Sequence, residues 1–427
     1  MSQYSIKIAI AGVGTVGKGV LDLLLKNQLV EKYNITIAAI ASRRKIDKNH
    51  IKLKNTKFFK NAKSFLNFND FDVLIELIGG EEGTAKEIVF NALSNGKKVI
   101  TANKALISKH WIEIKKICNQ NNASIKFEAA VAGGVPIIKV IQEFLSSNKI
   151  SKIYGILNGT SNFILTDMLS KNMTFEKILK KAQDLGFAES DPSFDIDGVD
   201  VAHKLSILAS LAFNINCNIK KMSIEGIRGI DLVDLKYSYD LGYKIKLLAV
   251  TYLKSNNLLC SVYPCLVNQN DIIASVDGVY NAVVVESDFC KKSFLQGEGA
   301  GAYPTATSVV SDLISICKKP NDDFNLNQKI IKHKNLKLSE KFGSYYLRFS
   351  TIDKSGVISD ITKEFKKNNI SMKSMLQKDK NPNSKNATIV VTTHNCLEKD
   401  IRKALTKINA LKFIVKKTVM IRIENFK

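Results

Sequence analysis

Between Gly186 and Leu205 the chain reads GFAESDPSFDIDGVDVAHKL, which sets Glu189, Asp191, Asp195, Asp197 and Asp200 ahead of Lys204. Carboxylates that close on one lysine can fix its position and its proton affinity for proton transfer, whereas a solvated lysine is only a surface charge. The segment points to an enzyme. Asp200 and Lys204 stand four residues apart in a helical pattern from Val199 to Phe213 and therefore share a face. On spacing alone they read as an exposed ion pair worth about 0.3–0.5 kcal/mol. His203 lies about 100° round the helix from Lys204 and reads as a neighbour rather than a catalyst. A second lysine, Lys104, follows Thr101, Ala102 and Asn103 directly after an apolar run, so it projects from the carboxyl edge of a strand, where open α/β sheets bind ligands. The carboxylates have no His-rich partner of the HxxE kind, which argues against a transition-metal site.

The elements that must position these residues begin at the N-terminus. Ile6 to Ala11 is an apolar run, Gly12 to Gly17 a glycine-rich turn, Lys18 to Leu29 a helical pattern and Ile35 to Ala41 a second apolar run, together a right-handed βαβ unit. Gly12, Gly14 and Gly17, with Val13, Thr15 and Val16 between them, form GxGxxG. The first glycine allows the tight turn, the second lets a pyrophosphate approach the backbone, and the third lets helix and strand pack closely. A purely structural turn is the plainer reading. After the second strand come Ser42, Arg43, Arg44 and Lys45, with no carboxylate before Asp47 to hold a ribose 2′-hydroxyl. Arginine can fork onto a 2′-phosphate, so NADP is expected over NAD, with NAD possible and a solvated basic loop as the alternative.

Further strands read at Val73–Ile78, Lys98–Thr101 and Ser124–Ala129, with helices at Ala85–Leu93 and Ile112–Cys118, an alternation that predicts a doubly wound sheet. From Pro136 a helix runs through Leu145, a strand lies near Ile153–Leu157, and helices follow at Asn162–Leu169, Phe175–Leu185 and Val199–Phe213 before a strand-rich stretch, Lys244–Val285. The loops EAAVAGGVP (Glu128–Pro136) and NGTSN (Asn158–Asn162) each leave a strand through glycine and present backbone amides or carbonyls to an ion. Gly297–Lys319 reads as a Gly-rich loop entering a helix that packs back on the first domain, and Pro320–Glu340 as a polar linker. Ser344–Lys427 gives βαββαβ, a ferredoxin-like unit expected to be small and separate. The expected class is α/β: an N-terminal Rossmann-type doubly wound domain over 1–135 completed by a helix at about 303–319, an α+β substrate and dimerisation domain over 136–302, a linker over 320–343 and a C-terminal domain over 344–427.

Composition narrows the class. A chain of 427 residues with 45% hydrophobic and 24% charged residues is an ordinary globular sequence of about three domains. No apolar stretch approaches a membrane span, and the opening residues run into a strand without a signal-peptide pattern, so a soluble cytoplasmic protein is expected. Seven cysteines without CxxC or repeated spacing read as reduced thiols. The formal charge of +23 is spread among Asn and Ile with no aromatic-basic stripe, which favours attraction of anionic ligands over a nucleic-acid footprint.

GVGTVGKGV, TANKAL, EAAVAGGVP, NGTSNFIL, GFAESDP, DGVDVAHKL and GEGAGAYPTATSVVSDL stand in the order and approximate spacing of homoserine dehydrogenase, which the chain resembles over roughly residues 5 to 320. The C-terminal unit, with DKSGVISDIT after its first strand, is similar to an ACT regulatory domain, and the chain opens directly on the nucleotide-binding pattern, so the monofunctional form is expected. The resemblance implies reversible hydride transfer between a nicotinamide cofactor and C4 of L-homoserine or L-aspartate 4-semialdehyde, in threonine, methionine and isoleucine biosynthesis. It implies Lys204 as proton donor, Lys104 as a second lysine near nicotinamide and substrate, and Glu189 as ligand of the substrate ammonium. Asp195 and Asp200 would position substrate and lysine, Gly159 and Thr160 would line the substrate side, and Thr101 and Gly301 would join the cofactor contacts. It further implies a monovalent cation such as sodium on backbone carbonyls of Glu128, Val131, Gly133 and Val135, an effector loop at Asp353, Gly356 and Val357 for L-threonine, and a homodimer or homotetramer. At Ser355 the chain departs from the family, which often has proline, so a looser loop or a domain serving only in assembly stands beside threonine feedback. Asp191 and Asp197 receive no role. A related oxidoreductase acting on another small amino-acid substrate, and a non-catalytic nicotinamide-responsive binding protein, are the competing readings.

Overall fold

The computed structural model describes residues 5–44, 51–318, 330–377 and 386–426, so Lys45, Asp47, the last residue of the expected returning helix, Lys319, and the 320–329 part of the expected linker lie outside the described residues. The chain divides into two units. The first comprises Met1–Gly159, Asp200–Lys221 and Tyr280–His333, and the second Thr160–Val199, Met222–Val279 and Lys334–Lys427.

In the first unit, six parallel strands run in the order β3-β2-β1-β4-β5-β6: β1 (Ile6–Ala11), β2 (Ile35–Ala41), β3 (Lys57–Phe59), β4 (Val73–Glu76), β5 (Lys98–Thr101) and β6 (Ser124–Lys126). This is the doubly wound order, and its switch point between β1 and β4 opens a crevice at the carboxyl ends of the strands. β1 and β4 are apolar apart from Lys7 and Glu76, as expected where helices cover both faces of a parallel sheet. The helix Thr15–Lys26 buries Val20, Leu21 and Leu24 in one core with Ala306, Val309, Leu313 and Ile316 of the helix Ala302–Lys318. The same unit holds an antiparallel trio in which Tyr280–Ser287 pairs with both Ile150–Ile156 and Lys292–Glu298.

The second unit is built on a long hairpin, Tyr243–Lys254 with Asn257–Asn268, whose tip residues Ser255 and Asn256 have φ of 48° and 60°. Both central φ values being positive is the turn geometry that matches strand twist. The C-terminal βαββαβ forms four strands in the order Ile414–Glu424, Phe342–Ile352, Asn386–Thr393, Met372–Leu376. Its helices, Val357–Lys367 and Glu398–Ile408, close a core with Tyr345, Leu347, Phe349, Ile361 and Ile401. The expectation of a separate unit is corrected here. Ile414–Glu424 pairs in parallel with Asn257–Asn268, Cys265 opposite Arg422 and Val267 opposite Glu424, so the C-terminal sheet continues the hairpin. An outer strand left unpaired would present a row of open backbone groups, and this pairing covers its last three residues, Arg422 to Glu424.

Smaller differences have local causes. The stretch after Pro136 is a short helix, Ile137–Lys139, followed by a π turn, Val140–Phe144, closed by Leu145 N–H donating to Val140 O at 2.8 Å. The helix expected at Ile112–Cys118 lies within a longer helical stretch, Lys104–Asn121, which is kinked at His110 and begins where the Asn103 side chain accepts from Leu106 N–H. Among the described residues no helix is long and apolar enough to cross a membrane.

Candidate active site

The helix Val199–Phe213 is apolar on nearly every side, and burying it carries Asp200 and Lys204 inside with it. Asp200 is 3% exposed and Lys204 9%, so the exposed ion pair that spacing suggests is not what forms. Lys204 Nζ donates to Asp200 Oδ2 and to the Leu157 carbonyl, both at 2.7 Å, and Asn158 Nδ2 donates to the same carboxylate oxygen at 2.9 Å. Lys104 Nζ lies 2.9 Å from the other oxygen, Oδ1. One carboxylate therefore stands between two ammonium groups. Burial pushes the Asp200 carboxyl up, but Lys204, Lys104 and the hydrogen bonds from Asn158 and Lys204 outweigh it and hold the group well below the usual carboxylate range. Burial, and next the charge of Lys104, holds the adjacent His203 ring below its ordinary value.

The position of Lys104 depends on a residue that the sequence reading missed. Glu76 ends β4, is fully buried, and accepts from Ile78 N–H at 2.7 Å, Gly79 N–H at 2.9 Å and the Thr101 hydroxyl at 2.7 Å. With its proton committed to Glu76, the Thr101 oxygen accepts from Asn103 N–H at 2.9 Å. Asn103 in turn holds Gly80 O through Nδ2 at 2.6 Å and caps the helix that opens with Lys104. The only available signal was a carboxylate closing the otherwise apolar strand VLIE, a position where a buried acid must be satisfied by backbone donors.

At the glycine turn, Gly12 has φ +99°, and a methyl on Gly17 would stand 2.2 Å from the Gly12 carbonyl oxygen. Only glycine fits either place. Gly14 has nothing within 4 Å of where a Cβ would be, and the helix it opens has no side-chain cap, so its first N–H groups face space that suits a pyrophosphate. A cleft of about 460 Å³ is lined by Gly12, Val13, Gly14, Ser42, Arg43, Arg44, Lys60, Asn61 and Thr84, among others. A second, of about 960 Å³, takes in Gly14, Thr15, Lys18, Arg44, Ala302 and Tyr303, directly after Gly301. Val16 packs against the core beneath. Arg43 and Arg44 are exposed at the mouth of β2, and Lys60 and Asn61 join them from the turn after β3, which the sequence reading did not single out. Three basic side chains, Arg43, Arg44 and Lys60, therefore line this one cleft.

Glu128 is buried: its carboxylate accepts from Ile138 N–H at 2.8 Å and Lys139 N–H at 2.9 Å, and burial followed by the charge of Asp312 pushes it up to about 7. Of the loop carbonyls expected to bind a cation, Glu128 O accepts from Val131 N–H, Gly133 O from the Ser308 hydroxyl and Val135 O from Ile137 N–H. Each retains a second lone pair. Among the described residues no group of three or more His, Cys, Asp or Glu could hold a metal.

The remaining substrate-side residues fall in the second unit, apart from Gly159, which closes a segment of the first. The Thr160 hydroxyl donates to Phe187 O at 2.6 Å, and Gln183 Nε2 to Glu189 O at 3.1 Å, tying both ends of the stretch before the exposed Glu189. The Asp195 carbonyl accepts from the Ser161 hydroxyl at 3.0 Å. The unassigned carboxylates have structural work: Asp191 accepts from Ser193 N–H and Asp197 pairs with Arg228. Gly356, with φ +90°, starts the helix Val357–Lys367, Val357 is in its core, and Asp353 is exposed on the loop before it.

Three family models match the chain: one described as homoserine dehydrogenase over residues 136–314, one as homoserine dehydrogenase, NAD binding domain, over 12–128, and the ACT domain over 345–413. A homoserine dehydrogenase of Neisseria gonorrhoeae is 39% identical, with 98% of this chain and 99% of that protein covered, and one of Bacillus subtilis is 35% identical at 98% of each. The crystal structure of a homoserine dehydrogenase from Thiobacillus denitrificans superposes with a TM-score of 0.91 at 37% identity, covering 99% of both chains. A hyperthermophilic archaeal homoserine dehydrogenase in complex with NADPH matches with a TM-score of 0.63 at 27% identity, over 74% of this chain and 98% of that one.

Proposed function

The chain belongs to the homoserine dehydrogenase family, and from that premise we propose how its own residues interconvert L-aspartate 4-semialdehyde and L-homoserine. A bound nicotinamide dinucleotide supplies the hydride for reduction and takes it back in oxidation. As the aldehyde is reduced, charge builds on its oxygen. Lys204 stabilises that charge and delivers the proton, and Lys104, across the shared Asp200 carboxylate, adds a second cation to the same field. The arrangement that carries this reading is the buried Asp200 between the two ammonium groups, at 2.7 and 2.9 Å. Asp200 holds both lysines in register, while Glu189 binds the substrate ammonium and Asp195, Gly159 and Thr160 shape its site, so that binding energy remote from C4 orients it. In an absorbance assay with L-homoserine and NADP, Glu189→Leu is expected to raise the homoserine KM about ten-fold with kcat less affected. An unchanged KM would remove Glu189 from the site.

NADP is the preferred dinucleotide in this reading. Support comes from Arg43, Arg44 and Lys60 lining one cleft, and from the related archaeal enzyme in complex with NADPH. Arg43→Asp is expected to lower kcat/KM for NADP by about ten-fold or more while sparing NAD, since a fork on a phosphate is replaced by repulsion. An unchanged ratio of the two cofactors overturns the preference. A sodium-like cation on the carbonyls of Glu128, Val131, Gly133 and Val135, an L-threonine site at Asp353, Gly356 and Val357, and assembly as a homodimer or homotetramer complete the reading. The same assay with sodium exchanged for a bulky organic cation, or with L-threonine added, tests the first two, and light scattering tests the third. No response in an arm drops that part.

A further inference from the structure

We propose that Glu225 is a positioning residue for the substrate loop, acting through a strap, Glu225–Arg228, that is fixed at one end to the last strand of the ACT unit and at the other to Ser193–Asp197. The proposal rests on the reading of Asp195 as a substrate-site residue. All of these residues lie within the second unit.

The first anchor is Arg422, on Ile414–Glu424, whose side chain is 1% exposed. Its guanidinium bonds Glu398 through Nε and Nη2, both at 2.8 Å, and Glu225 through Nη1 at 2.7 Å and Nη2 at 2.9 Å. Both contacts are bidentate forks, the arrangement that fixes a carboxylate in direction as well as distance. Arg422 and Glu398 already neutralise each other. Glu225 joins them from a distant segment, with Arg402 at 3.3 Å offsetting its charge, so the strap is referenced to a rigid buried pair.

The second anchor follows at once. A methyl on Gly226 would stand 2.2 Å from the Ile196 carbonyl oxygen and 2.5 Å from Asp197 Cα, so only glycine permits the approach. Ile227 N–H donates to that same Ile196 oxygen at 2.8 Å. Arg228 then forks onto Asp197 at 2.5 and 3.0 Å and reaches the Ser193 hydroxyl at 2.9 Å. The helix Ser193–Ile196 has four residues and bears Asp195, and it is held by these strap bonds together with the Ser161 hydroxyl on Asp195 O. Glu225 N–H also donates to Val262 O at 2.8 Å, on the hairpin strand that pairs with Arg422, so a joint shift of these two strands would pull Glu225, and with it the loop.

The test compares Glu225→Gln, Arg228→Ala and their double variant in full-length enzyme, with KM and kcat measured for both substrates and thermal melting alongside. Either single variant is expected to raise the homoserine KM about ten-fold, with kcat and the dinucleotide KM within about two-fold. The double variant should be little worse than the poorer single one, because both changes release one segment. Arg228 is half-exposed, so its removal keeps the test valid if Glu225→Gln fails to fold. An unchanged homoserine KM in Arg228→Ala, or equal damage to both substrates, overturns the proposal. Asp195→Asn separates the two readings: a raised KM there with inert strap variants sinks the strap alone, and no effect there sinks the loop's role and the strap with it.

Discussion

Lys204→Ala is expected to lower kcat by roughly 10²- to 10⁴-fold, the range lost when a positioned proton donor is removed. Two effects combine. The variant loses the proton for the product alkoxide and the cation that stabilises charge building on the aldehyde oxygen. The fold should survive the change, because Asp200 keeps Lys104 at 2.9 Å and Asn158 at 2.9 Å, so its carboxylate is not stranded. The dinucleotide KM should stay near wild type, since the glycine turn and the arginines of its cleft are untouched by the substitution. Lys204→Arg is not expected to restore turnover, because a guanidinium holds its proton too firmly to deliver it. Steady-state kinetics with both substrates decide the matter. A variant that keeps kcat within about ten-fold of wild type would remove Lys204 as the proton donor.

How much of this could be read from the chain depends on the range over which each signal acts. The glycine turn was legible because its three requirements, positive φ at Gly12, open space at Gly14 and close approach at Gly17, lie within six residues. The shared face of Asp200 and Lys204 was legible for the same reason. Their burial was not, since four-residue spacing looks alike inside and outside a protein, and only the apolar character of VAHKLSILASLAF argued otherwise. Glu76 escaped notice because its partners are backbone amides and a hydroxyl 25 residues away, neither of which leaves a mark on composition. The continuity of the C-terminal sheet was harder still. Arg422 meets Glu225 across 197 residues, and nothing local in VKKTVMIRIE marks one arginine of that strand as buried. Family resemblance supplied roles that spacing could not, and geometry then showed which carboxylate faces the lysines. Of the five acids ahead of Lys204, Asp200 bonds its ammonium at 2.7 Å, while Asp191 and Asp197 serve the loop itself.

Asp200→Asn is expected to cost more than an isosteric change normally would, because the carboxylate is the common counter-charge of two lysines. An asparagine offers one acceptor where Asp200 offers two, and its amide nitrogen must face an ammonium group or the Asn158 amide, donor against donor. Two cations then remain close together in a buried site without their anion. Breaking a buried pair from one side costs about 3–5 kcal/mol, and displacement of Lys204 by about 1 Å from its productive place is enough to lower kcat about 10²-fold. The pH dependence of stability carries a separate signature. The folded-state pKa of Asp200 is depressed, so the stability it contributes is fully present above its unfolded value of about 3.9 and is lost as pH falls below that value toward the folded one. Wild type should therefore weaken progressively below about pH 4 by an amount that the asparagine variant, which has no proton to bind there, does not show. Denaturant unfolding of both proteins between neutral and acid pH measures the difference directly. Parallel acid limbs, or a kcat within a few-fold of wild type, would mean that the two lysines hold their places without Asp200 and that the counter-charge role belongs elsewhere.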